Sequence, residues 1–182
     1  MNPVVADTSA FSSLCKTSYD SAVFETIPFT VTDVCMTEMK ESSPAMPQRE
    51  QQARTRFLEI FRSSNAEIAY QTTGVEWDPY VDHQGKESIR WLIENKPADL
   101  KLVVLYDFAA ESDITALRDS LQRSQGTIDV RRPGRPLELL YERDRLTRDE
   151  FIDGVEQMID GEGWEVAPLI EHTDLELSEL SV

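Results

Sequence analysis

Cysteine is almost missing from this chain. Its 182 residues include two, Cys15 and Cys35, twenty positions apart and in no C-x-x-C spacing. That gives no support to a zinc ribbon, a dithiol redox pair or a disulfide framework. The reading left is two small packed thiols in a reducing compartment. Histidine also numbers two, His83 and His172, each in a polar stretch that suggests exposure rather than a general base. No apolar run approaches the about 20 residues of a membrane-spanning helix. The opening MNPVVADTSAF lacks the basic and apolar regions of a signal peptide, so the expected location is the cytoplasm. Neither G-x-x-x-x-G-K-[ST] nor G-x-G-x-x-G occurs, which weighs against the common phosphate-cradling loops of nucleotide enzymes.

What the chain has in excess is acid. Thirty-four Asp and Glu stand against 18 Lys and Arg, for a formal charge of −16. Of the basic residues 13 are Arg and only five are Lys. At ordinary salt this balance disfavours a polyanion partner. Acid excess with little lysine is also how a protein adapted to molar intracellular salt is composed. There the Debye length shrinks to about 3 Å and the repulsion is largely screened. The composition therefore predicts a halophilic protein and leaves nucleic acid open as a partner.

The length suits a single domain spanning residues 1–182. Short apolar runs alternate with helix-period segments. Pro3 to Ala6 reads as a buried strand, with a helix capped by Thr8 or Ser9 after it. Pro28 to Val31 reads as a second strand, followed by a segment capped at Thr32 or Asp33. Glu41 to Arg49, with two prolines, is a loop. Ala53, Phe57, Ile60 and Phe61 then mark an amphipathic helix. Further strands are expected at Glu67–Tyr70, Leu102–Tyr106 and around Ile128 and Val130. Helices are expected over Gln84–Asn95, around Ile114, Leu117 and Leu121, and from Leu137. Thr147 and Glu150 form a capping box before a helix carrying Phe151, Val155 and Met158, which Gly161 and Gly163 end.

This alternation predicts an α/β fold with a mostly parallel central sheet covered on both faces. Ligands in such sheets bind beyond the carboxyl ends of the strands. Asp7 directly follows VVA, and Asp107 follows LVVLY. Both acids are thereby placed on one edge. Two carboxylates there need a shared proton or a cation, and a divalent metal is the simpler answer.

The blocks VVADTSAF, TDVCMTEM and QGKESIRWLIENKPADLKLVVLYDFAA, in that order, resemble those of PIN domains, which are metal-dependent ribonucleases. LELLYERDRLTRDEFIDGVEQMIDGEGWEVAPLIE is similar to the C-terminal helices of a prokaryotic PIN-like branch. The resemblance implies a three-layer α/β/α fold, with residues from about 137 to 182 as a helical extension. It also implies a Mg²⁺ or Mn²⁺ site built from Asp7, Glu38, Glu87 and Asp107. Lys86 stands where relatives carry a further acid, and Tyr106 replaces the first of a common pair of aspartates. Carboxylate and water ligands suit these hard ions, and such ions serve in-line phosphoryl displacement.

Thr8 and Ser9 are candidates for orienting Asp7 or the scissile phosphate, and Arg131 and Arg132 for contacting phosphate. The resemblance further implies an RNA substrate, a homodimer and, for a toxin of a toxin–antitoxin pair, an antitoxin that covers the acidic site. Simpler readings stand beside these. Most acids in so acidic a chain are solvated surface, and Thr8 or Ser9 could merely cap a helix. Arg131, Arg132 and Arg135 could form a solvated turn. Trp77, Trp91 and Trp164 could stack on bases, although core packing is the stronger reading for Trp91 and Trp164. Two rival functions are a catalytically degenerate PIN fold that binds RNA or protein, and a hydrolase of small phosphates on a related sheet.

Overall fold

The computed structural model describes residues 4–41, 43–81, 84–95, 102–105 and 128–159; for 102–105 and 128–130 the backbone alone is described. Outside these residues lie Asp82, His83, Tyr106, Asp107, the expected helix of Ile114, Leu117 and Leu121, and everything from Asp160 onward, Trp164 and His172 included.

Five strands form one sheet. β1 (Val4–Ala6) is an apolar triplet buried throughout, the pattern of a strand covered on both faces. It pairs with β2 (Phe29–Thr32) on one side and β4 (Leu102–Leu105) on the other. β3 (Ile68–Gln71) extends the sheet beyond β2, and β5 (Ile128–Arg131) beyond β4. The order is therefore β3-β2-β1-β4-β5, with every pair parallel. Ala6 lies level with Leu105, so β1 and β4 end side by side. Strand order reverses at β1, which makes its carboxyl end the switch point where an α/β sheet opens a crevice.

The described helices are α1 (Thr8–Leu14), α2 (Asp20–Thr26), α3 (Asp33–Lys40), α4 (Gln48–Arg62), α5 (Gln84–Asn95), α6 (Arg135–Glu142) and α7 (Arg148–Ile159). Strand side chains alternate between the two faces. Val4, Ala6, Phe29 and Val31 enter the main core with residues of α1 to α4, α6 and α7. At its centre Phe11 meets Phe57, Phe29 and Phe24, with ring centroids 4.6, 5.7 and 6.2 Å apart. Thr32, on the opposite face, meets Ser88 of α5, and Ile89, Leu92 and Ile93 are buried there. Helices thus cover both faces, a three-layer α/β/α arrangement.

Several boundaries differ from expectation, each for a local reason. The cap of α1 is Asp7, because its extended backbone lets the carboxylate turn back onto the Ala10 N–H. The seven-residue α2 escaped detection because so short a helix shows scarcely two turns of periodicity. RRPGRP, Arg131 to Pro136, reads from sequence as a loop, but Arg131 belongs to β5 and Arg135 with Pro136 opens α6. Proline suits that first turn, where its missing N–H has no intrahelical partner to lose.

The capping box is present: the Thr147 N–H donates to Glu150 Oε2 at 2.8 Å, and the Glu150 N–H donates to Thr147 Oγ1 at 3.3 Å. Cys15 and Cys35 are free, buried thiols. Among the described residues no helix is long and apolar enough to cross a membrane.

Candidate functional site

At the carboxyl end of β1 the backbone leaves the sheet, and Asp7 holds the turn into α1. Its Oδ1 accepts the Ala10 N–H at 2.7 Å, satisfying one of the donors a helix start leaves open. Only 5% of the residue is exposed. Thr8, the next residue, donates its hydroxyl to Oε2 of Glu38 on α3. The other oxygen, Oε1, accepts the Gly85 N–H at 3.0 Å from the first turn of α5. One carboxylate therefore joins three helices at the switch point.

Gly85 is required there by space. A Cβ at this position would lie 2.8 Å from Glu38 Oε2 and 3.2 Å from Cys35 Sγ. A side chain would push the carboxylate away from the N–H that holds it. The start of α5 is fixed in turn by hydroxyls. Ser88 donates to the Gly85 carbonyl at 2.7 Å, which uses its single proton. The 2.7 Å contact between Ser88 and Thr32 therefore has Thr32 as donor. Thr32 Oγ1 meanwhile accepts the Cys35 N–H at 3.1 Å and so caps α3.

Cys35 lies one turn before Glu38 and is wholly buried. Burial first, then the Glu38 carboxylate, and more weakly that of Asp7, push its thiol up to about 12. The thiol thus senses both carboxylates, as expected where two acids converge on one buried place.

The flanking loops are tied to the same elements. Thr73, after β3, donates its N–H and hydroxyl to Asp33 at the start of α3. The Trp77 indole donates to Glu41 just beyond α3, at 3.1 Å, and the Asp78 N–H donates to Gln84 Oε1 at 2.8 Å.

Of the four expected acids, Asp7 and Glu38 share a neighbourhood: Glu38 accepts from Thr8, the residue after Asp7, and both act on the Cys35 thiol. Glu87 is exposed in the first turn of α5, on a different side from buried Gly85 and Ser88, and near Arg90. No described contact joins it to the other two. Asp107 lies outside the described residues. Among the described residues, no group of three or more His, Cys, Asp and Glu side chains could hold a metal ion.

Thr8 is spent on Glu38, while Ser9 is half-buried beside it. Arg131 and Arg132 stand half-buried at the carboxyl end of β5, on the edge of the sheet that carries Asp7. Arg135 is committed to Glu138 and Glu142, at 2.9 and 2.6 Å. Trp77 is held by Glu41, and Trp91 lies against Gly74.

Gly85, Ser88 and Cys35 were not identified from sequence as parts of this cluster. A glycine opening a helix was the available signal for the first; nothing local marks the other two.

A parallel sheet in this order, carrying a buried acid, Asp7, at the carboxyl end of its central strand, has the architecture of a PIN-like α/β/α domain. The family model described as the halobacterial PIN domain matches residues 1–173, and the chain belongs to that family. PIN domains are generally nucleases and typically use divalent metal ions. No curated protein and no solved structure matches the chain.

Proposed function

We propose that this protein is a Mg²⁺- or Mn²⁺-dependent ribonuclease that hydrolyses phosphodiester bonds within RNA. The observation that carries the reading is the bond from Thr8, next to Asp7, to Glu38 at the switch point, with the Gly85 N–H on the other Glu38 oxygen and the Ala10 N–H on Asp7. The donor set fits a hard divalent ion, because its ligands are carboxylate oxygens and Mg²⁺ needs only one or two of them. When bound, such an ion makes water acidic enough to attack near neutral pH and neutralises charge gathering on the phosphate. In this reading Asp7, Glu38, Asp107 and Glu87 supply or support its ligands.

The protein's own part is positioning. The Ala10 N–H fixes one oxygen of Asp7 and with it the orientation of the carboxylate. Thr8 and the Gly85 N–H fix both oxygens of Glu38. In this reading Ser9 orients a phosphate, and Arg131 and Arg132 grip the strand on the β5 side through guanidinium–phosphate pairing. The working state is a cytoplasmic homodimer; if the protein serves as a toxin, an antitoxin segment covers the acids.

One observation favours a second reading, a degenerate PIN fold that binds RNA or protein without cutting. Both Glu38 oxygens already have donors, and Glu87 stands apart.

The deciding experiment is cleavage of a mixed-sequence single-stranded RNA in molar KCl with Mn²⁺. Chelator and Asp7→Asn serve as controls. Cutting that both controls abolish supports the nuclease. RNA binding that survives both, without cutting, supports the second reading. Turnover of nucleotides but not of RNA would favour a small-phosphate hydrolase.

A further inference from the structure

The carboxylate of Glu38 is held from above by α1 and α5; its backbone is held from below by α4. Arg54 Nη1 donates to the Glu38 carbonyl at 2.6 Å and to the Glu41 carbonyl at 3.3 Å. These oxygens belong to the last turn of α3 and its exit, where the Glu38 carbonyl has the Glu41 N–H at 3.2 Å but no full helical turn after it, and the helix dipole favours a cation. The guanidinium is itself fixed, since its Nε donates to Glu50 Oε1 at 3.0 Å, one turn earlier on α4.

Glu50 does not hold Arg54 alone. Its Oε2 accepts from the Ser12 hydroxyl at 2.7 Å and pairs with Lys16 Nζ at 3.0 Å, both donors belonging to α1 or its exit. The Lys16 side chain is 2% exposed, so this contact is deep. Burial acts to raise the Glu50 carboxyl, but the Ser12 hydroxyl, Lys16 and Arg54 together outweigh it and hold it below the ordinary range. A continuous strut results. It runs from the helix that begins at Asp7, through Glu50 and Arg54, to the helix that carries Glu38.

We propose that Arg54 is the positioning residue for Glu38: it fixes the end of α3 so that the carboxylate meets Thr8 and Gly85 at one spacing from Asp7, and so sets the affinity for the divalent ion. The clause on the ion rests on the nuclease reading; the clause on Glu38 does not. A lysine cannot replace Arg54, because one ammonium on a flexible stem lacks the fork that spans Glu50 and the α3 carbonyls together.

The test is hydrogen exchange of the Gly85 amide, which reports the Glu38 contact directly, in molar KCl with chelator. The variants are Arg54→Gln and Arg54→Lys, both of which leave Lys16 paired with Glu50. Exchange at Gly85 should quicken about tenfold, the loss expected when one charge-assisted hydrogen bond stops restraining a local opening. The Cys15 amide, bonded to the Phe11 carbonyl where α1 ends, should keep its protection. Unchanged exchange at Gly85, or protection lost in the same proportion everywhere, would overturn the proposal.

A calorimetric Mn²⁺ titration separates the two clauses. Weaker binding in Arg54→Gln than in the natural protein supports the link to the ion. Equal affinity in the two overturns it. A natural protein that binds no Mn²⁺ overturns the nuclease reading and the ion clause together, while the exchange result still decides whether Arg54 positions Glu38.

Discussion

The hydroxyl of Thr8 donates to the carboxylate of Glu38, across 30 positions of chain. This bond makes the first residue of α1 a clamp on α3, and it leaves Asp7, one position earlier, beside a second acid.

Thr8→Val keeps the side chain's shape and removes the donor. A part-buried carboxylate then lacks a charge-assisted bond, at a cost of about 1.5–3 kcal/mol. Thr8→Ser should recover most of that loss. Urea unfolding of the three proteins in the same molar KCl measures both differences.

Gly85→Ala sets two effects against each other. Alanine favours a helix by about 1 kcal/mol over glycine, while its Cβ would sit 2.8 Å from Glu38 Oε2. The atom in the way is the end of a flexible side chain, so the carboxylate gives rather than the helix. Stability should stay within about 1 kcal/mol of the natural protein. If the nuclease reading holds, metal-dependent RNA cleavage should fall at least about tenfold, because misplacing a positioned group is costly even where the fold survives. Parallel unfolding and cleavage assays test the split.

Alkaline pH should weaken the fold through its thiols. In the folded protein Cys35 is pushed up to about 12 and Cys15 is raised as well, chiefly by burial. The unfolded chain releases these protons first, so their contribution is intact below the ordinary thiol pKa and is lost as pH rises toward about 12. On the acid side Glu50 acts oppositely. Its lowered pKa contributes stability above the ordinary carboxylate range, lost as pH falls through its folded value. Unfolding midpoints measured across pH should show both declines, and a Cys35→Ala variant should lose part of the alkaline one.

Salt should stabilise the protein strongly. A formal charge of −16 repels itself at low ionic strength, and the repulsion is screened beyond about 3 Å in 1 M salt. The thermal midpoint should climb steadily from dilute buffer to molar KCl. A midpoint indifferent to KCl would count against a salt-adapted surface.

Phe57→Ala should be the most damaging of these changes to the fold. The ring is fully buried against Phe11, Phe24 and Phe61. Truncation in such a core costs about 3–5 kcal/mol. The denaturant midpoint should drop sharply even in molar salt.

Much of this arrangement could be read from the chain because its signals are local. VVA and LVVL show themselves as strands by composition alone, and Ala53, Phe57 and Ile60 return at helical spacing to make the buried face of α4. Thr147 and Glu150 need only three positions to declare a cap. Asp7 was legible because an acid directly after a buried strand has a defined place in a parallel sheet. Glu38 was not legible this way; only the family resemblance singled it out among the acids of the chain.

The contacts that hold Glu38 were still harder to foresee. Its partners lie 30 positions away in Thr8, 47 in Gly85 and 16 in Arg54, and no periodicity links them. Glu50 and Lys16 look like any two surface charges until α1 and α4 pack together.

Asp7 caps α1 and also stands among the acids of the site, and the two duties make different demands on its chemistry. Capping needs an oxygen that accepts one N–H, which asparagine supplies equally well. Holding a cation needs the negative charge. Exchange of one oxygen for nitrogen therefore divides shape from chemistry at a single atom. If the protein is a nuclease, the shortest route to an inert copy is also one that leaves α1 capped. Such a copy would still occupy whatever the intact protein occupies, a decoy rather than a gap.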